Sequence, residues 1–158
     1  MGYILELREL VGKRPLFSVG ATVVAFDDHN RVLMQLRSDT KTWDFPGGSS
    51  ELGDSLEDTA RRELLEETGL AADRLEFITV LSGAIYRETY PNGDEIYIVS
   101  AIFVARGLTG ALQTDAESLE LRWFASNELP IELAGPITRW IVDNLETLQR
   151  RQQRPLEG

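Results

Sequence analysis

The segment GGSSELGDSLEDTARRELLEETGL, residues 47–70, decides the fold of this chain and carries most of its chemistry. It begins with a double glycine, which interrupts regular secondary structure. Ser55 is a good N-cap, Asp58 follows three residues later as in a capping box, and Gly69 stands where helices commonly end. We therefore predict a glycine loop followed by a helix over residues 55–68.

Three glutamates lie on one face of this predicted helix. Glu63, Glu66 and Glu67 have the spacing i, i+3, i+4, which places them within an arc of roughly 100°. Like charges at this spacing repel one another. The simplest interpretation is a solvated acidic face, neutralised by Arg61 and Arg62.

The apolar residues of the helix favour a different interpretation. Leu56, Ala60 and Leu64 form a stripe, and Glu63 and Glu67 project at its margins. Unpaired charge near a packed surface is costly, so clustered carboxylates there need a cation. Oxygen ligands of this kind suit Mg²⁺ or Mn²⁺.

These features together resemble the Nudix box, G-x5-E-x7-R-E-U-x-E-E-x-G-U, in which U is a large aliphatic residue. The matching positions are Gly48, Arg62, Glu63, Leu64, Glu66, Glu67, Gly69 and Leu70. One position departs from the box, because Asp54 stands where the first glutamate is expected. In the family that acid helps to organise the loop and the helix, so its shorter reach affects fine geometry more than activity.

The resemblance implies an α/β chain with the Nudix fold, a mixed β-sheet sandwiched between helices (α/β/α). The sequence around the box agrees with this order of elements. We predict one domain over 1–158, with an N-terminal extension over 1–14 and a frayed tail over 150–158. The predicted strands are 17–26 and 31–37 as a hairpin, then 75–81, 96–105 and 121–124, with a loop at 107–110 and a helix after Pro136.

The resemblance also implies roles for the box residues. Glu63, Glu66 and Glu67 are the expected magnesium ligands, with Mn²⁺ as an alternative ion. A carbonyl of Gly47 or Gly48 is expected to complete the coordination shell, and glycine lets the backbone approach an ion closely. Among the catalytic residues, we expect Glu63 and Glu66 to act with the metal and Arg62 to orient a box glutamate by a salt bridge.

A general base outside the box is a separate expectation. Family members often draw it from a box glutamate or from a later acidic loop, and Glu117 lies in such a loop. Glu95 is the alternative. For either residue, an ordinary solvated loop acid is the competing interpretation.

The resemblance predicts hydrolysis of a pyrophosphate bond in a nucleoside diphosphate linked to another moiety. Nucleoside triphosphates, nucleotide sugars and ADP-ribose are the candidate substrates. Tyr86 lies 16 residues after Leu70, a spacing similar to that in dinucleoside polyphosphate hydrolases, which are an alternative. Candidate substrate-binding residues are Arg37 for phosphate and Trp43, Phe45, Tyr86 and Tyr97 for base stacking.

Composition limits the remaining function classes. The formal net charge of −10 disfavours a nucleic-acid polymer as partner. The chain has no cysteine, which agrees with a cytoplasmic location and excludes the Nudix-type isoprenoid isomerases, which need one. We expect no membrane association, and a homodimer remains open. A Nudix module that binds a nucleotide without cutting it is the alternative of another class, disfavoured because all three helix glutamates are present.

Overall fold

Two β-sheets and four helices make up residues 2–152, the part of the chain that this computed structural model describes. The helices are α1 (Tyr3–Val11), α2 (Leu56–Thr68), α3 (Pro136–Asp143) and α4 (Leu145–Gln152). The strands are β1 (Leu16–Ala25), β2 (Val32–Arg37), β3 (Trp43–Asp44), β4 (Gly47–Ser49), β5 (Leu70–Leu81), β6 (Arg87–Thr89), β7 (Glu95–Gly110) and β8 (Ser118–Phe124).

The larger sheet is mixed, as the sequence predicts. Its order is β4-β1-β7-β5, with β6 also paired to β7. Strands β1 and β7 run parallel, and the other pairs are antiparallel. The loop predicted at 107–110 is wrong, because β7 continues to Gly110 and pairs there with Leu70 of β5.

The predicted hairpin of residues 17–26 and 31–37 is also wrong. Strand β2 belongs to a second, antiparallel sheet of order β3-β2-β8, and only one bridge, Phe26 to Val32, joins it to the end of β1. The edge of β1 that β2 would occupy is already taken by β4 and its flanking residues. Val23 donates to the carbonyl of Pro46, and Ser50 donates to that of Val19.

Two apolar layers cover the faces of the larger sheet. Val23 of β1 packs in a cluster with Leu64 of α2. Its neighbour Val24 points to the other face, into a cluster with Ile141 of α3 and Leu148 of α4. This alternation gives the predicted α/β/α sandwich and places α2 on one side of the sheet.

Both ends of α2 match the sequence prediction. Ser55 accepts a hydrogen bond from the backbone N–H of Asp58 at 3.0 Å, and Asp58 accepts one from the N–H of Ser55 at 3.1 Å. Gly69 ends the helix with φ 76°. These caps fix the register of the helix, and hence the direction in which its glutamates point.

Part of each predicted terminal segment is helical. The predicted extension contains α1, of which no residue is buried. The predicted tail begins inside α4, which continues to Gln152, while residues 153–158 lie outside the described part. Within residues 2–152 no helix has the length and apolar character needed to cross a bilayer.

Candidate active site

The double glycine of β4 lies directly against the glutamates of α2. The N–H of Gly47 donates to Oε2 of Glu67 at 2.8 Å. A Cβ atom on Gly48 would lie 2.5 Å from Oε1 of Glu63, so a larger residue would displace that carboxylate. The glycines are therefore needed for close approach between strand and helix.

The two glycine carbonyls point in opposite directions along β4. The carbonyl oxygen of Gly48 lies against β1, where it would collide with a Cβ on Gly20. The N–H of Gly47 points to Glu67, and in an extended strand the carbonyl of the same residue points to the same side. The carbonyl that faces the glutamates is thus that of Gly47. The prediction that the carbonyl of Gly48 faces them is wrong, because it points to β1.

The three box glutamates differ in exposure. Glu67 is buried, with 5% of its surface exposed. The side chain of Glu63 is 14% exposed, whereas that of Glu66 is 57% exposed. Glu63 and Glu67 therefore line the packed side of the helix, and Glu66 extends into the solvent at the mouth of the site.

Burial shifts the acidity of the two inner glutamates. It raises the pKa of Glu67 to about 9, against the opposing hydrogen bond from Gly47, and the charges of Glu63 and Asp44 add to the rise. Burial also raises the pKa of Glu63, although Arg62 opposes the shift. For both carboxylates, desolvation therefore outweighs the hydrogen bonds and charges that favour the ionised form.

Arg62 holds the acidic side of the helix together. Its guanidinium donates to Oε1 of Glu63 at 2.8 Å, to the carbonyl of Ser49 at 3.0 Å and to Asp54 at 3.3 Å. It also lies 3.6 Å from the carboxylate of Glu66. Asp54 thus reaches the arginine despite its shorter side chain, and Arg62 has the geometry of the orienting residue that the sequence predicts.

A buried polar chain behind Glu67 was not predicted. Ser118 of β8 donates to the amide oxygen of Gln35 at 2.7 Å, and the Gln35 amide nitrogen donates to Oε2 of Glu67 at 3.3 Å. Gln35 is 6% exposed on β2, within the otherwise apolar run VLMQL. That lone polar residue in a buried strand is the signal that could have revealed it.

The donor set fits a divalent cation. Glu63, Glu67 and the Gly47 carbonyl offer oxygen atoms only, as Mg²⁺ and Mn²⁺ prefer. Within residues 2–152 the acidic side chains are not already gathered in threes around one point. Glu63 and Glu66 instead form ion pairs with Arg62. Mutual repulsion explains why the carboxylates do not converge on one point, and a bound cation would draw them together.

These acids open into a cleft of about 640 Å³ that Arg37, Asp44, Asp115 and Glu117 also line. The N–H of Glu117 donates to Asp115 at 3.0 Å, which fixes the loop at the cleft. The charge of Glu117 raises the pKa of both Glu63 and Glu67, so this residue is close to the inner acids.

The sequence model of the family described as the NUDIX domain matches residues 16–145 of this chain. This chain belongs to the NUDIX family. A putative 8-oxo-dGTP diphosphatase from Bacillus subtilis is 28% identical over 130 residues, which cover 81% of this chain and 80% of the relative. A MutT-like protein from Streptomyces ambofaciens is 30% identical over 132 residues, covering 84% and 79%. Among solved structures, a MutT NUDIX hydrolase from Burkholderia pseudomallei superposes with TM-score 0.67 at 25% identity, covering 82% of this chain and 97% of that one.

As a Nudix hydrolase, the chain acts on acid anhydride bonds in phosphorus-containing compounds. Of the two bases expected outside the box, only Glu117 lies in the cleft. Glu95 forms an ion pair with Arg87 elsewhere on the sheet. Glu117 is therefore positioned at the cleft, as a general base would need to be, and Glu95 is not.

Most of the aromatic residues expected to bind the Nudix substrate are in the core. Trp43 packs edge-on against Phe124 with ring centroids 4.9 Å apart, and Tyr86 is buried in the same cluster. Phe45 is 2% exposed. The prediction of base stacking is therefore wrong for Trp43 and Tyr86, which line neither the cleft nor the cavity next to it, whereas Phe45 lines that cavity. The dinucleoside polyphosphate alternative rested on the spacing of Tyr86 alone, and it stays a prediction.

Tyr97 lines neither the acidic cleft nor the cavity next to it. It pairs with Phe17 in the parallel ladder, and their rings are 6.2 Å apart. The adjacent residues Ser18 and Ile98 point to the opposite face, where they line a cavity next to the cleft. The prediction that Tyr97 binds the substrate is therefore wrong, because side chains on a strand alternate between its two faces.

Arg37 does lie at the cleft, but its charge is shared. Its guanidinium donates to Asp39 at 2.8 and 2.9 Å and to Asp44 at 3.3 Å. These carboxylates raise its pKa, which keeps the side chain cationic. Arg37 thus remains a candidate for contact with a substrate phosphate.

Proposed function

We propose that this Nudix hydrolase performs magnesium-dependent hydrolysis of a pyrophosphate bond in a nucleoside triphosphate. The observation that carries the proposal is the pair of inner carboxylates, Glu63 and Glu67, held against the glycine strand at the floor of an acidic cleft. Nucleotide sugars and ADP-ribose, which share the nucleoside diphosphate group, are the other substrates in this class.

The metal would be held by Glu63, Glu66, Glu67 and the Gly47 carbonyl. A divalent ion there would neutralise phosphate oxygens and lower the pKa of a bound water. The cleft needs such a charge, because a net charge of −10 repels a free triphosphate.

The protein side chains supply positioning and proton transfer. Arg62 keeps the carboxylate of Glu63 directed into the cleft through a hydrogen bond of 2.8 Å. Gly47 and Gln35 hold Glu67 by two further hydrogen bonds. Glu117 or Glu66, both at the cleft, would accept a proton from the attacking water.

Two relatives support the choice of substrate to test first. The putative 8-oxo-dGTP diphosphatase and the MutT-like protein both align over about four fifths of this chain. A purine nucleoside triphosphate, including an oxidised guanine nucleotide, is therefore the first substrate to test.

The test is a panel of nucleoside triphosphates, nucleotide sugars, ADP-ribose and dinucleoside polyphosphates with Mg²⁺ or Mn²⁺, measured by phosphate or pyrophosphate release. We expect turnover of at least one triphosphate, abolished by EDTA. Glu66→Gln should lower that rate by orders of magnitude without changing the melting temperature. Absence of turnover across the panel, with tight nucleotide binding, would support a binding module instead.

We also propose a cytoplasmic homodimer. The larger sheet exposes apolar side chains on the face that carries Tyr97, among them Phe17 at 71% and Val19 at 46% exposure. Exposed apolar patches of this kind often mark protein contacts. Sedimentation of the wild type and of Phe17→Asp would test this, with a monomeric wild type as the contradicting result.

A further inference from the structure

A second cavity continues from the acidic cleft along the other face of the larger sheet. The two spaces share Arg37, Asp44, Gly47 and Gly48 in their walls. A group attached to phosphates in the cleft can therefore enter this cavity. Its apolar walls, formed by Ile96, Ile98 and Ile137, suit the flat faces of an aromatic base.

Most polar groups of the cavity already have partners. The hydroxyls of Thr22 and Ser100 lie 2.9 Å apart, and that of Thr138 donates to Asp44 at 2.5 Å. The hydroxyls of Ser18 and Ser49 are also hydrogen-bonded, at 2.6 Å. Each of these hydroxyls is therefore already held by a partner within the protein.

Of the two carboxylates in the walls of the cavity, Asp44 has such partners among the described residues and Glu88 does not. It lies on β6 opposite Ile96 and is half-buried in the cavity wall. Its carboxylate packs so closely against Gly135 that a Cβ there would lie 2.5 Å from Oε1. Within residues 2–152 it has no hydrogen bond and no ion pair, although burial raises its pKa and Arg37 opposes the rise. A half-buried carboxylate without protein partners is free to accept hydrogen bonds from water or from a ligand.

We propose that Glu88 is a specificity residue that recognises the base of the substrate by accepting hydrogen bonds from a guanine ring. An ionised carboxylate only accepts hydrogen bonds, and it has two oxygens side by side. Guanine presents two adjacent donors, its ring N1–H and its 2-amino group. Adenine has no such pair. The inference rests on the proposed hydrolysis of purine nucleoside triphosphates and names the base.

The test compares dGTP with dITP, which lacks only the 2-amino group. The wild type should prefer dGTP. Glu88→Gln, which places an amide donor against the guanine donors, should lower kcat/KM for dGTP by about tenfold to a hundredfold, chiefly through KM. Activity on dITP should change much less, so the preference collapses. Glu95→Gln is the matched control, because Glu95 pairs with Arg87 away from the cavity.

Binding of dGMP and dIMP, measured by calorimetry, separates this inference from the proposed function. A preference for dGMP that Glu88→Gln removes supports the role of Glu88 even if the wild type cuts no nucleotide, in which case only the hydrolysis proposal fails. Equal losses for guanine and hypoxanthine nucleotides, or an unchanged preference, would overturn the inference. Melting temperatures of Glu88→Gln and of Glu88→Asp exclude loss of folding as the cause.

Discussion

The proposed metal side and the proposed nucleoside side of the cleft are built in different ways. On the metal side, one helix and the short strand before it supply Glu63, Glu67 and Gly47 within about twenty residues of sequence. The nucleoside side combines residues from β1, β6, β7 and α3, which are distant in the chain. Chemistry that depends on a charge cluster is therefore encoded locally, whereas recognition of the base depends on the whole fold.

The largest expected effect is on the metal side. Glu67→Gln should lower kcat by more than about a hundredfold, since even residues behind a metal ligand typically contribute ten- to a hundredfold. The measurement is steady-state hydrolysis at saturating Mg²⁺. Glu57→Gln is the matched control, because Glu57 is exposed on the same helix and contacts only Arg61 in an ion pair. Comparable rates for the two variants would contradict the assigned role of Glu67.

A smaller effect is expected from the polar chain that connects the second sheet to this site. Gln35→Leu removes the donor to Glu67 at 3.3 Å and leaves the Ser118 hydroxyl without its acceptor. The Mg²⁺ concentration at half-maximal rate should rise about tenfold, with a smaller change in nucleotide KM. Gln113→Leu, at an exposed position, serves as the control. An unaltered Mg²⁺ requirement would show that Gln35 only fills space.

The stability of the metal-free protein should depend on pH through Glu67. Its folded pKa of about 9 lies above the ordinary value of 4.5, so between these values the folded protein holds more protons than the unfolded chain. The free energy of unfolding must then fall as pH rises, by at most about 1.4 kcal/mol per pH unit.

Melting curves in EDTA from pH 5 to pH 8 measure this directly. The wild type should lose stability over that range, and Glu67→Gln should lose less. Adding Mg²⁺ at pH 8 should restore the wild type only, because metal binding favours the ionised carboxylate. A wild-type profile parallel to that of the variant would argue against a buried, protonated Glu67.

The smallest effect is expected at Tyr97, which lines neither the acidic cleft nor the second cavity. Tyr97→Ala should leave nucleotide KM and kcat within about twofold, since surface changes remote from a site are usually near neutral. Steady-state kinetics with the best substrate of the panel would check this. A large rise in KM would restore the stacking role that the fold now excludes.

The same contrast explains what could be predicted from sequence. The helix, its caps and the position of Glu63 and Glu67 beside its apolar stripe follow from short-range spacing, and they are confirmed. The partner of each strand does not follow from local pattern. The proposed hairpin failed because β4 and its flanking residues occupy the edge of β1, a competition invisible in either strand alone.

Aromatic residues were misassigned for a related reason. Trp43 and Tyr86 have the same composition signal whether they stack on a base or fill a core. Only the packing of the second sheet and α3 decides between these fates. Gln35 and Glu88 were missed because a polar residue within a strand signals a polar contact but does not identify the partner that it faces.

The most direct test of the central claim is a crystal soaked in Mn²⁺, with the ion located by its anomalous scattering. We expect a peak bounded by the carboxylates of Glu63 and Glu67 and the carbonyl of Gly47, with Glu66 turned away from Arg62 toward it. An empty floor of the cleft, with Glu67 still bonded only to Gly47 and Gln35, would contradict the account.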